Sequence, residues 1–177
     1  MRQLRIGSIT VAPLLDSSIL VPGDALLRAG AAHFPVLEGA RGLEADDWAA
    51  YPEHLEPDGL FHMHFGGYLV RTGDRVVVVD VGVGPRPFAP PGIPAPYAGV
   101  LLDSLRTLGV DPSDVTDVVL THLHLDHVGW NTRLENGRWV PTFPNARYVF
   151  GKSEFDYWTE QNAKTPVPPF GDSVLPV

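Results

Sequence analysis

His122, His124, Asp126 and His127 stand in the order His-x-His-x-Asp-His inside the run THLHLDHVGW. Three of the seven histidines of this 177-residue chain therefore fall within residues 122–127. Neutral imidazole and carboxylate suit Zn²⁺, and also Fe or Mn, and two such ions a few ångströms apart would share a bridging hydroxide. The chemistry implied is hydrolysis. The bland alternative is histidines that are close in sequence by chance, on the surface or in the core. Four donor-type side chains in so short a window favour ligands over that alternative. The chain has no cysteine, so neither a disulfide framework nor a thiolate metal site is available, and the search narrows to His, Asp and Glu.

Such a cluster needs a strand to present it. Extended residues alternate, so His122 and His124 leave a strand at Val115 to Leu120 pointing the same way, while Asp126 and His127 come round on the turn before a helix. Ahead of that strand, Val100, Leu101, Leu105 and Leu108 recur at helical spacing and Gly109 ends the run. Asp111-Pro112-Ser113-Asp114 then turns the chain. Gly82 to Pro96 is dense in Gly and Pro and reads as a loop of the kind that borders sites. Earlier still, Leu60 to Val79 predicts a β-hairpin with its turn at Gly73-Asp74. Its second strand is apolar at four consecutive positions, Val76 to Val79, which predicts burial on both faces.

The outer segments are plainer. Leu4 to Leu15 reads as one strand, followed to about Glu56 by a long, partly helical excursion with a helix start at Asp46-Asp47-Trp48. A strand is expected at Arg147 to Phe150, then an amphipathic helix from Ser153 whose Phe155, Tyr157 and Trp158 pack it onto the sheet. The tail from Thr165 carries four prolines and reads as extended or poorly ordered.

Three further residues are candidates near the cluster. Asp80 ends a buried strand, where a carboxylate is costly unless hydrogen-bonded or near a cation, so a supporting role behind the ligands is expected over a simple turn-forming one. His64 shares a strand face with His62 and could approach a pocket, although strand histidines are more often packing residues. Trp130 could line the pocket or sit in the core.

Composition bounds the rest. With 44% hydrophobic residues the chain can fill a single core, and a net charge of −8 disfavours nucleic acid or anionic lipid as partners. The apolar stretch at Val76 to Val83 is too short to span a bilayer, and MRQLRIGSIT lacks an apolar signal region, so no membrane segment is expected and a cytoplasmic location is the default.

THLHLDHVGW, preceded by VVVVDVG, resembles the metallo-β-lactamase superfamily. The flanks GYLVRTGDRVVVVD and WNTRLENGRWVPTFPNARYVFGKSEFDYW resemble its lactonase-like and organophosphate-hydrolase-like branch, and the likeness covers most of residues 60 to 160. It implies an α/β fold, an αββα sandwich of which this chain supplies mainly the first half, as a single domain over residues 1–177 that is incomplete at its C-terminus. It implies that His122 and His124 bind one metal and Asp126 and His127 a second, most simply Zn²⁺, with Asp126 also acting catalytically by orienting the attacking hydroxide. In the family, further ligands follow the motif. Here no histidine follows His127, and Asp156 and Asp172 lie downstream without a family-like context.

The function implied is a metallo-hydrolase that uses metal-bound hydroxide on a small-molecule ester, lactone or related substrate. Phosphotriester and thioester hydrolysis stand as alternatives. So do an iron-based redox member and a catalytically incomplete half-domain that acts with a partner, as a dimer or with a missing C-terminal half.

Overall fold

The computed structural model describes residues 3–22, 48–86 and 99–177. The helix start expected at Asp46-Asp47 and most of the Gly82 to Pro96 loop lie outside these residues. The chain divides into two compact units, Met1–Ser17 with Phe65–Val177, and Ser18–His64.

The strands are β1 (Leu4–Ile6), β2 (Ile9–Pro22), β3 (Leu60–Thr72), β4 (Arg75–Val79), β5 (Asp117–Val119), β6 (Thr132–Glu135), β7 (Arg138–Pro141) and β8 (Arg147–Val149). The helices are α1 (Leu101–Thr107), α2 (Leu125–Val128) and α3 (Lys152–Lys164). Six strands make one sheet in the order β1-β2-β3-β4-β5-β8, and β6-β7 form a separate two-stranded sheet. This is a mixed α/β fold. Among the described residues no helix is long and apolar enough to cross a membrane.

The expected hairpin is β3-β4, paired antiparallel from Tyr68↔Val79 to Thr72↔Arg75 across Gly73-Asp74. From β4 the chain crosses through α1 to β5, which pairs parallel with β4 from Val77↔Asp117 to Val79↔Val119, as a crossover carrying a helix allows. Helix α1 buries Leu101 and Leu105, one turn apart, and closes with Val110 N–H donating to Leu105 O and Gly109 N–H to Arg106 O, a Schellman end. These side chains join Leu14, Leu69, Val78, Val118 and Phe143 in one core.

Four expectations change. The Leu4 to Leu15 strand is a hairpin, because Gly7 turns the chain at φ 61° and pairs Ile6 with Ile9. Burial of Val76 to Val79 is uneven: Val78 is fully covered, whereas Val76, Val77 and Val79 are half-covered. The β6-β7 hairpin was unexpected, although Asn136-Gly137, at φ 50° and 79°, is the standard residue pair for a tight turn of this hand. The proline-rich tail is also ordered. Phe170–Val174 forms a π-helical turn that buries Phe170 and Val174 in the core, the Phe170 ring 5.7 Å from that of Phe155.

One buried acid ties together the strands that deliver the cluster. Asp117 on β5 is 3% exposed, and Arg75 of β4 donates Nε–H to its Oδ2 at 2.8 Å. Arg147 of β8 stands 3.0 Å from its Oδ1 and Thr116 donates its hydroxyl at 2.7 Å. The Arg75 hydrogen bond, opposed by burial and helped by Thr116, lowers the Asp117 carboxyl to about 2. A depressed folded-state pKa adds stability above the unfolded value of about 3.9, and that stability is lost as pH falls toward about 2. Asp117→Asn should therefore cost about 1–2 kcal/mol at pH 7, between a hydrogen bond to a buried charge and an exposed ion pair. The urea midpoints of variant and wild type should converge between about pH 4 and pH 2; a constant gap across that range would remove the carboxylate's charge from the explanation.

Candidate metal centre

β5 ends at Val119, and the chain bends at Thr121 and runs on to an extended His124 before the single turn of α2. Leu123 points inward and is buried, so His122 and His124 on either side of it face outward, as alternation requires. Asp126 and His127 sit on α2, half-buried, with Val128 facing the core. The His122 ring centroid lies 4.6 Å from that of His124 and 3.9 Å from that of His127. Helix α3 braces the extended segment: Glu154 accepts the Leu123 N–H at 3.1 Å, and the edge of Trp158 meets His124 at 5.6 Å between centroids.

Asp80 follows β4 with φ 57°, a left-handed backbone that Asp tolerates better than most residues and that ends the strand. Its Oδ1 accepts the Thr121 N–H at 2.9 Å and its Oδ2 the Thr121 hydroxyl at 2.8 Å. The same Oδ2 lies 2.9 Å from His127 Nδ1 in ion-pair contact, and Asp126 Oδ2 lies 3.5 Å from Nε2 on the other side of that ring. Burial opposes a charge on His127, but Asp126 and Asp80 outweigh it and raise the imidazole to about 9. Burial and the His127 and His124 rings instead hold His122 below its ordinary value, in the neutral form that can act as a ligand. Burial works against the charges of Asp80 and Asp126, yet hydrogen bonds and the neighbouring imidazoles keep both carboxyls low.

The turn that carries Asp126 and His127 is seated against the backbone that follows Asp80. Val81 N–H donates to His127 O at 2.9 Å, Gly129 N–H to Gly82 O at 2.8 Å and Trp130 N–H to Val81 O at 3.1 Å. The two backbones are so close that a Cβ on Gly129 would stand 2.0 Å from the Val83 carbonyl carbon. Only glycine fits there.

These residues fit a divalent cation in donor chemistry: three imidazoles, with His122 in ring contact with the other two, a carboxylate beside His127, and no thiolate. His127 Nδ1 is buried without an aligned hydrogen-bond partner, Asp80 being its ion-pair neighbour. A carboxylate behind a histidine fixes which ring nitrogen faces a metal. The fit is partial, because among the described residues no three His, Asp or Glu side chains converge as a ready-made ligand set.

Of the remaining expected residues, Trp130 is buried in the core, with its indole N–H directed to Asp16 Oδ1 at 2.7 Å. His64 lies in the other unit, exposed on β3 and stacked on His62 at 5.8 Å. Asp156 pairs with Lys152, and Asp172 with Arg86 at 3.4 Å. Asp16 and Glu154 were not among the residues singled out from sequence. Neither belongs to a short motif, and only the fold brings them to residues 123–130.

The metallo-beta-lactamase superfamily model matches residues 67–176. The chain is 37% identical over 100 residues to the N-acyl homoserine lactonase AttM of Rhizobium radiobacter, covering 53% of this chain and 34% of that protein. It is 36% identical over 107 residues to the N-acyl homoserine lactonase AiiB of Agrobacterium fabrum, covering 54% and 36%. The solved structure of AidC, a dizinc quorum-quenching lactonase, superposes with a TM-score of 0.65 at 26% identity over 89% of this chain and 46% of that one. The matched stretches thus span about a third of the lactonase sequences and about half of the AidC structure.

Asp80→Asn keeps the shape but removes the charge beside His127. Zn²⁺ affinity, read by competition with a chromophoric chelator, should fall about 10–100-fold while the far-ultraviolet circular dichroism stays that of wild type. Unchanged affinity would strip Asp80 of its part in the centre.

Proposed function

Because the chain belongs to the metallo-beta-lactamase superfamily, we propose that it is the metal-binding part of a hydrolase that opens an N-acyl homoserine lactone or a closely related cyclic ester. The observation that carries this reading is the cluster of His122, His124 and His127 in ring contact beside Asp126, with Asp80 behind His127. The lactonase activity of relatives at 36–37% identity supports the substrate class.

In this reading His122 and His124 hold one cation and Asp126 and His127 a second. Zn²⁺ is the first choice, with Fe or Mn as alternatives. When bound, the metal supplies Lewis acidity to water and to the lactone carbonyl. The protein's own groups do the rest. His122, held neutral, can offer a lone pair at pH 7 without first losing a proton. His127, whose two carboxylates raise it to about 9, would lose a proton on becoming a ligand. Asp80 occupies the Nδ1 side of His127 and leaves Nε2 for the metal. Asp126, kept ionised, is placed to orient the water and accept its proton.

A second reading is favoured by the absence of a converged ligand trio among the described residues. In it this stretch binds metal weakly until donors from elsewhere complete the centre, as the first half of a sandwich would, and it turns over no substrate alone.

Elemental analysis of protein purified without added metal should find about two equivalents, lost in His122→Ala, for the full two-ion site. Proton release from an N-acyl homoserine lactone, with an aryl ester and a phosphotriester as comparison substrates, should then show preferential lactone opening that falls to background in the variant. Two equivalents with no lactone turnover would sink the substrate assignment. About one equivalent or none, with no turnover, would establish the second reading.

A further inference from the structure

Asp16, on β2, is fully buried at 0% exposure. Its Oδ2 accepts the N–H groups of Val83 at 2.7 Å and Gly84 at 3.2 Å, and its Oδ1 accepts the Leu101 N–H at 2.9 Å and the Trp130 indole N–H at 2.7 Å. Its own carbonyl accepts the Val100 N–H at 2.7 Å. The space is shaped for a carboxylate. A Cβ on Gly82 would come 2.3 Å from Oδ2 and one on Gly99 would come 2.0 Å from Oδ1. A buried carboxylate surrounded by N–H donors is demanding: remove the charge or an oxygen and several donors lose their acceptor together.

What those donors belong to is the informative part. Val83 and Gly84 continue the backbone of Asp80 to Gly82, against which the ligand-bearing turn is hydrogen-bonded at His127, Gly129 and Trp130. Trp130 is three residues past His127 and comes to the same carboxylate from the other side. One group therefore fixes both walls of the seam that seats His127: the 80–84 segment through main-chain N–H, and the end of the motif through an indole.

We infer that Asp16 is a positioning residue for the metal centre, setting where Asp126 and His127 stand relative to Asp80 without touching metal or substrate. The inference rests on reading residues 122–127 as metal ligands. It separates Asp16 from an ordinary core polar group, because its loss must be felt at the ligands as well as in the stability of the fold.

Two substitutions test this in the full chain. Asp16→Asn keeps the shape but sets an NH₂ group against N–H donors. Trp130→Phe keeps the ring and removes a single donor, so it carries the test if Asp16→Asn does not fold. Each should weaken Zn²⁺ about tenfold in chelator competition and alter the visible absorption bands of the Co²⁺-loaded protein, which report ligand geometry. The double variant should be no weaker than Asp16→Asn alone, since both act through one contact. In the metal-free protein, Asp16→Asn should speed amide exchange at Gly129 and Trp130 about tenfold more than at Val118 within the sheet. Variants that melt earlier yet keep wild-type Zn²⁺ affinity and Co²⁺ bands would overturn the inference and leave Asp16 a fold residue. A wild-type chain that takes up no Zn²⁺ overturns the metal reading instead, and exchange at Gly129 and Trp130 then decides the coupling by itself.

Discussion

Two backbones, residues 81–84 and 127–130, lie against each other with no room for a side chain between them, and the rest of the site is arranged around that fact. Gly84 and Gly129 meet there, and a Cβ on Gly84 would stand 2.4 Å from the Gly129 carbonyl carbon. Contact this close turns two loops into one rigid piece, because main-chain hydrogen bonds run directly between them instead of through flexible side chains. The turn that carries Asp126 and His127 is irregular, four residues of helix followed by a 3-10 turn, and would be loosely held by itself. Its precision comes from the neighbouring chain.

Three buried acids serve this architecture, each partnered by different means; at Asp16 burial still outweighs its N–H donors and pushes the carboxyl above its ordinary value. Asp117 uses cations: its partners Arg75 and Arg147 keep much of their side chains in solvent, so most of the desolvation falls on the carboxylate. Asp16 uses N–H dipoles from three separate segments. Asp80 uses a hydroxyl, an amide and an imidazole, and its positive φ aims it across the seam instead of along the strand. The first locks the register of β4, β5 and β8, the second fixes the loops at the end of that sheet, and the third reaches the donor cluster. In a chain with a net charge of −8, acids placed so deep mark where geometry matters more than transfer energy.

Much of this was legible in sequence, for local reasons. The expected quartet has a spacing that a strand end followed by a helical turn brings together, as the structure shows for residues 119–128. The β3-β4 hairpin, α1 with its glycine end, β8 and α3 each carry a periodicity or punctuation that the structure follows. The misreadings have equally local causes. Gly7 lies inside the run Leu4 to Leu15 expected as one strand, and no element is expected at Asn136-Gly137, although the pair carries the turn signal of the β6-β7 hairpin. Prolines in the tail outweighed Phe170 and Val174, whose burial decides that segment. Asp16 and Glu154 had no local signal: they lie 114 residues before Trp130 and 31 residues after Leu123, their respective partners. The uneven cover of Val76, Val77 and Val79 around Val78 is likewise a property of layers, which four consecutive valines do not disclose.

The parallel pairing of β4 with β5 has a further consequence, for the order in which the chain can acquire its chemistry. Thr116 bonds Val76 across 40 positions, whereas β3-β4 and β6-β7 close across turns of two residues. Local hairpins form in microseconds, but a pairing over that distance must first meet the entropy of closing its loop. Asp80 follows β4 directly and His127 lies on the turn beyond β5, so their contact depends on the pairing of those two strands. The Asp80 support behind His127 therefore depends on the long-range pairing, whereas the donors of residues 122–127 are close in sequence from the start.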